Sequence, residues 1–283
     1  MRPSLRLHGL YSLFFIVGAC FGFFGFGVAN LQGGKDFDTL IRMGIGVVDI
    51  RTLMRPISGS LNLTFLPMVI MANAPQLVFS LLYLAYNGIF TTMSLAREWS
   101  GFASSRKGLR CSGGGDIRAG AQRATHFLQL PYRIAIPLLV ISGVLHWLIS
   151  QGIFLVYLES YGPKEPTFNG TEQKRVSYFD DSIAIGWSPF GVLWVIFVIF
   201  VMVVLLTFVG LLKFPTPMPV VGSCSIAIAA ACHPSAGDQW ETEKIWEAEL
   251  QWGATSEPDR EKPGHCSFSA AEVGSPIDGS AYR

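Results

Sequence analysis

Charge is what this sequence has least of. Its 283 residues carry 21 Lys and Arg and 20 Asp and Glu, 14% of the chain, where a soluble domain carries about a quarter. So low a fraction excludes a chain disordered throughout and argues against a water-soluble globule. The near balance of signs, a formal +1 at neutral pH, leaves no basic stripe for nucleic acid. Catalytic patterns are missing as well: no Ser/His/Asp set, no paired carboxylates and no H-E-x-x-H helix stand out, so the expectation is that the chain is not an enzyme. His8, His126, His146, His233 and His265 are scattered along the chain. Facing helices are therefore not expected to ligate a haem, and no cofactor is expected.

The scarce charges are also unevenly placed. Residues 7–31, 63–96, 134–158 and 189–212 contain none. A helix rises 1.5 Å per residue, so about 20 apolar residues cross the ~30 Å of bilayer hydrocarbon. All four stretches are long enough, and none alternates in the manner of a barrel strand. The expectation is an all-α polytopic transmembrane helical bundle of about four spans, with the lipid bilayer as its first partner. The domain boundaries read as a first span with a short basic amino terminus (1–31), an extracytosolic loop (32–62) and a lead-in with the second span (63–96). A basic cytosolic loop (97–133), the third span (134–158), a second extracytosolic loop (159–188), the fourth span (189–212) and a cytosolic tail (213–283) complete the order.

Local signals refine the spans. Gly27 and Ala29 stand at the offset for signal-peptide cleavage, but an apolar run of roughly 20 residues is longer than a signal's hydrophobic region, so a retained span is expected. In 63–96, Asn73 can cap a helix and Pro75 suits a first helical position. That places the crossing helix at about 75–96, with Pro67 in a separate lead-in. Pro131 and Pro189 stand near the starts of the third and fourth spans.

Orientation follows the distribution of Lys and Arg, which gather in short cytosolic loops. Residues 97–133 hold seven against two acids, and residues 159–188 hold three against five. Both termini are therefore expected to be cytosolic. Asn169-Gly170-Thr171 is an N-glycosylation acceptor in a loop assigned outside. Asn62-Leu63-Thr64 is a second acceptor on that side, too near the membrane for modification.

Two faces carry information within the spans. In the second, Gln76, Ser80, Tyr83, Asn87, Thr91, Ser94 and Glu98 recur at steps of three and four and fall within an arc of about 80° at 100° per residue. A polar stripe of that length faces protein or water rather than lipid. Ser142, His146 and Ser150 repeat at i, i+4, i+8 in the third. Gln76, Asn87, Ser142 and His146 are the candidate residues of a seam between spans two and three. The seam either contacts a solute or holds the helices together at about 0.6 kcal/mol per hydrogen-bonded pair. In the first span Gly18, Gly22 and Gly25 form a small-residue stripe that lets a neighbouring backbone approach, within the chain or in a homo- or hetero-oligomer.

The five cysteines are Cys20, Cys111, Cys224, Cys232 and Cys266. None lies in a loop assigned outside, so no disulfide framework is expected. Cys232-His233 and His265-Cys266 supply metal-ligand chemistry, but their spacing matches no zinc module and no metal site is expected. Cys224 and Cys232 follow a span closely and are candidates for palmitoylation. The tail from Lys213 holds ten acids against five basic residues, and from Asp238 onward its Ser, Gly and Pro content points to a largely disordered acidic segment. Trp240, Trp246 and Trp252 suggest a docking stretch within it.

Several runs also carry a resemblance. They include Ala72-Asn73-Ala74-Pro75-Gln76, Leu95-Ala96-Arg97-Glu98-Trp99-Ser100, the stretch from Gln122 to Arg133, Ser142-Gly143-Val144-Leu145-His146-Trp147-Leu148, Ala231-Cys232-His233-Pro234 and Gly264-His265-Cys266-Ser267-Phe268. Together they resemble a family of uncharacterised fungal multi-pass membrane proteins that carry a domain of unknown function near their amino terminus. The resemblance covers most of the chain from about Leu10 and brings no substrate or catalytic residues. Its members are typically longer, which implies that this chain corresponds to their carboxy-terminal transmembrane part, as a truncated gene model or a short paralogue. The functional expectation is a structural or accessory membrane component. The alternative is a subunit of a transporter, channel or receptor that uses the polar seam.

Overall fold

A computed structural model describes residues 3–31, 33–54, 65–112, 120–158, 182–211, 216–233, 245–259 and 262–282. Its helices are α1 (Pro3–Ala29), α2 (Phe37–Arg42), α3 (Phe65–Ser100), α4 (Tyr132–Gly152), α5 (Pro189–Leu211) and α6 (Ser225–Ala231). Its strands are β1 (Leu53–Met54), β2 (Lys107–Gly108), β3 (Arg110–Cys111), β4 (Arg123–Ala124), β5 (Ile153–Leu158), β6 (Ser182–Trp187), β7 (Glu249–Ser256) and β8 (His265–Ser269). Within α3, α4 and α5, Leu66–Ser100, Tyr132–Gly152 and Pro189–Leu211 are long and apolar enough to cross a membrane, and α1 adds a shorter apolar stretch, Val17–Ala29. The all-α expectation needs correction, because the described residues also build two three-stranded sheets and one two-stranded pair.

Two compact units divide the chain: Leu7–Leu84 with Leu139–Gly210, and Met1–Arg6 with Ala85–Leu138 and Leu211–Arg283. In the first, one apolar cluster joins Phe79 of α3, Leu145, Leu148 and Ile149 of α4, and Val195, Ile199 and Val203 of α5, with Val17 and Cys20 of α1 against it. A second cluster sets Trp187 and Ile196 against Leu31, Leu40 and Met43. Removing such side chains from water is worth ~25 cal/mol per Å², the principal favourable term available to them in an aqueous reference. Gly27 makes this packing work, since a Cβ there would come within 2.6 Å of the Trp187 ring. The sheet β1-β6-β5 is antiparallel, with Leu53 opposite Gly186 and Ile153 opposite Trp187.

Three expected boundaries move. The interruption foreseen at 71–76 is absent, and α3 runs through both Pro67 and Pro75. Pro67 sits in the first turn, where its missing N–H costs nothing. The Asn73 side chain, instead of capping, donates to the Val69 carbonyl at 2.8 Å. The helix expected over 134–158 ends at Gly152, because the β-branched and aromatic run 153–158 pairs with β6; 21 helical residues already reach about 30 Å. The segment from Asp238, expected to be largely disordered, contains β7 and β8.

That tail folds with the basic connector in the second unit. β7 pairs with β2 of the connector on one side and β8 on the other. Leu250 and Trp252 of β7 and Cys266 and Phe268 of β8 are buried together with Phe102, Met218, Ala231 and Ile245. Phe268 receives the rings of Trp99 and Phe102 edge-on, each with centroids 5.3 Å away, the arrangement that aromatic quadrupoles favour.

Candidate functional site

The polar face expected on the second span is present on α3, and each of its seven members, from Gln76 to Glu98, is half-buried. The fully buried line of the helix lies beside it, at Ala72, Phe79, Tyr86, Met93 and Ser100. A seven-residue step keeps that line on one side of the helix for two turns at a time. Hydroxyls on the stripe turn inward to their own helix: Ser80 donates to the Gln76 carbonyl and Thr91 to that of Asn87, both at 2.9 Å. Ser150 on α4 does the same to Trp147 at 2.7 Å. Ser142 and His146 are half-buried on α4.

Glu98, the last member of the stripe, has a role that its position alone did not disclose. Its Oε1 accepts from Arg110 Nε at 2.6 Å and from Arg123 at 3.0 Å. Arg110 also donates to the Ala124 carbonyl and Arg123 to that of Gly108. One carboxylate thereby ties the parallel pair β3–β4 to the end of α3, and two of the connector's cations are neutralised locally. Charge-assisted bonds of this kind are shorter and stronger than neutral ones.

Connector and tail are stitched by further bonds over long sequence separations. Trp252 N–H donates to the Phe102 carbonyl at 3.0 Å, Ala121 N–H to Glu247 at 2.7 Å, and Trp99 Nε1 to Pro219 at 3.2 Å. Trp252 is thus a core residue and not a docking one, whereas Trp246 is exposed and Trp240 lies outside the described residues. Near β8, His265 Nε2 donates to the His233 carbonyl at 3.0 Å and the two rings sit 5.7 Å apart. The two Cys/His pairs of the tail are therefore neighbours. Among the described residues, however, no group of three or more His, Cys, Asp or Glu is arranged to hold a metal ion. Burial pushes the Cys266 thiol up from its ordinary pKa, which disfavours the thiolate that a metal requires.

Of the remaining candidates, Cys224 and Cys232 are exposed on either side of α6. Gly18, Gly22 and Gly25 are exposed too, and a Cβ built on any of them would meet nothing within 4 Å. Among the described residues, their stripe is not a surface through which α1 packs on its own chain. Asn169 and Asn62 lie outside the described residues.

No curated protein and no solved structure matches the chain. A family model does, over residues 8–282. The chain belongs to the family defined by the domain of unknown function DUF8419.

Proposed function

We propose that the chain is a multi-pass integral membrane protein of four spans with both termini cytosolic, and that it serves as a structural or accessory component with no chemistry of its own. One observation carries the topology. The segments that the charge rule puts on one side bond to each other: 97–133 pairs with the tail through β2 and β7, and 32–62 pairs with the end of 159–188 through β1 and β6. Ser188 adds a 2.8 Å bond to the Gly44 carbonyl. Loops paired in one sheet belong on one side of a bilayer, and this supports the grouping that Lys and Arg counting gives. The resemblance to fungal multi-pass proteins supports the same reading.

The accessory role is supported by where the polar face spends its hydroxyls. Ser80, Thr91 and Ser150 each satisfy a carbonyl of their own helix, which lets them sit in a helix interface without serving a solute. The open stripe Gly18, Gly22, Gly25 fits a helix of another chain, and exposed Cys224 and Cys232 are open to acylation. A conduit is the second reading, favoured by the half-burial of the whole stripe. His146→Ala or Asn87→Leu would then abolish an activity without loss of protein, while lower abundance with function retained would support the accessory role.

The topology is tested in sealed microsomes: retention through alkaline carbonate, glycan addition at Asn169 and cytosolic protease access to Arg106 are expected. Luminal access to Arg106, with Asn169 unmodified, would overturn it. Purification in mild detergent is expected to bring down a distinct partner chain. A discrete homo-oligomer with bound solute would favour the conduit.

A further inference from the structure

The turn that leads into α4 is built the wrong way round for a loop that faces water. It is closed by Gln129 N–H donating to the His126 carbonyl at 3.2 Å, and Gln129 is the one non-glycine among the described residues with positive φ, at 64°. A side chain with a Cβ adopts that region reluctantly. Tips of water-facing turns are built from Gly, Asn, Asp and Ser. This tip is Phe127-Leu128, and Phe127, at 86%, is the most exposed large apolar side chain among the described residues.

The tip is nevertheless held firmly. Leu130 is 1% exposed, and the Pro131 carbonyl accepts from both Ile134 and Ala135, at 2.8 and 3.0 Å. Phe127 and Leu128 are therefore displayed just ahead of a buried anchor, Leu130, that leads into the first turn of α4. From there the exposed apolar surface continues along one face of that helix, through Tyr132, Ile136, Val140 and Trp147, while Ala135, Leu138 and Leu145 are buried. Arg133, also exposed, stands at the head of the same face.

We propose that the Phe127-Leu128 tip is an interfacial anchor, inserted into the headgroup region of an anionic bilayer surface where α4 enters it, with the Arg133 guanidinium on lipid phosphate. This rests on the membrane reading above. The chemistry suits that depth and no other. An aromatic ring leaves water there, while the turn's own carbonyls and the exposed Gln129 amide keep the polar partners that the hydrocarbon core would deny them. A cation beside the inserted ring adds attraction to phosphatidylserine headgroups.

The test replaces Phe127 by benzoylphenylalanine in the full chain, reconstituted in phosphatidylcholine vesicles with or without phosphatidylserine. The same photoprobe at Phe197, on the exposed face of α5, reports membrane insertion independently. Light is expected to give a phospholipid adduct at both positions. The yield at 127 is expected to rise severalfold with phosphatidylserine and to lose that rise in Arg133→Gln. An adduct at 197 with none at 127, a protein adduct at 127, or a yield indifferent to phosphatidylserine would overturn the anchor while leaving the membrane reading in place. Absence of lipid adducts at both positions would overturn the two together.

Discussion

The unit of α1, α3, α4 and α5 side chains and the unit of connector and tail solve the burial problem differently. In the first, apolar side chains are abundant on every face: Phe197, Leu205 and Phe208 of α5 are left exposed although Val195, Ile199 and Val203 are buried. In the second, the buried apolar residues gather in one aromatic-rich cluster closed by strand pairing, while Phe127, Leu128 and Ile226 stay exposed outside it. One unit expects an apolar surrounding; the other makes its own. An exposed hydrophobic surface of that extent marks a partner or a membrane, whereas a core of alternating strand residues needs only water outside.

The comparison can be broken most severely at Phe268. Phe268→Ala empties the centre of the connector-tail cluster and should cost about 3–5 kcal/mol. The expected readout is rapid trypsin cleavage within the tail while the helical circular dichroism persists; collapse of both would deny that the two units are separately stabilised. Glu98→Gln should cost less, about 1–2 kcal/mol, because the two guanidiniums that lose their counterion keep a backbone carbonyl each and some contact with water. Double-mutant analysis with Arg110→Gln is expected to show coupling between the two positions, and strict additivity would argue that the pair contributes nothing. Within the other unit, Gly27→Val should destabilise by about 1–3 kcal/mol through overpacking against Trp187, measured as detergent-induced unfolding. Gly22→Val should leave the monomer unchanged and alter only its association. Equal effects at the two glycines would erase that distinction.

The smallest effect is one of pH. Hydrogen bonds hold two carboxyls below the usual carboxylate range: that of Asp36 from the Thr39 hydroxyl, and that of Asp49 from Arg51. A depressed folded pKa means that stability is present above the unfolded value and lost as pH falls through the folded one. Acidification below about pH 4, the ordinary Asp value, should therefore speed amide exchange around 36–52. Faster exchange at higher pH, after correction for intrinsic rates, would reverse the sign.

How much of this was legible depends on the distance over which each signal acts. The long helices were, because an uncharged run reports its own environment residue by residue: α5 occupies 189–211, as its composition demanded. The end of α4 was only partly so, since Ile153 to Leu158 is apolar in either state and its partner strand lies beyond a long loop. The tail was misread because composition counts Ser, Gly and acids without asking which positions alternate. Leu250 with Trp252, and Cys266 with Phe268, point to one side of their strands, and the surface they cover comes from Phe102, about 150 residues earlier. The polar face of α3 was visible as a stripe, but Glu98 as a shared counterion for Arg110 and Arg123 was not, because that depends on a turn of chain between them.

The pairing of β2 with β7 also dictates an order of events at the ribosome. Residues 107–108 emerge long before 249–250 are made, and all of α4 and α5 must be delivered in between. Throughout that interval the connector's strand edge lacks β7, and Phe102 lacks Trp252 and Phe268. Contacts so far apart along the chain form slowly, so a nascent chain stalled before the codon for Leu250 should be a ready client for a chaperone.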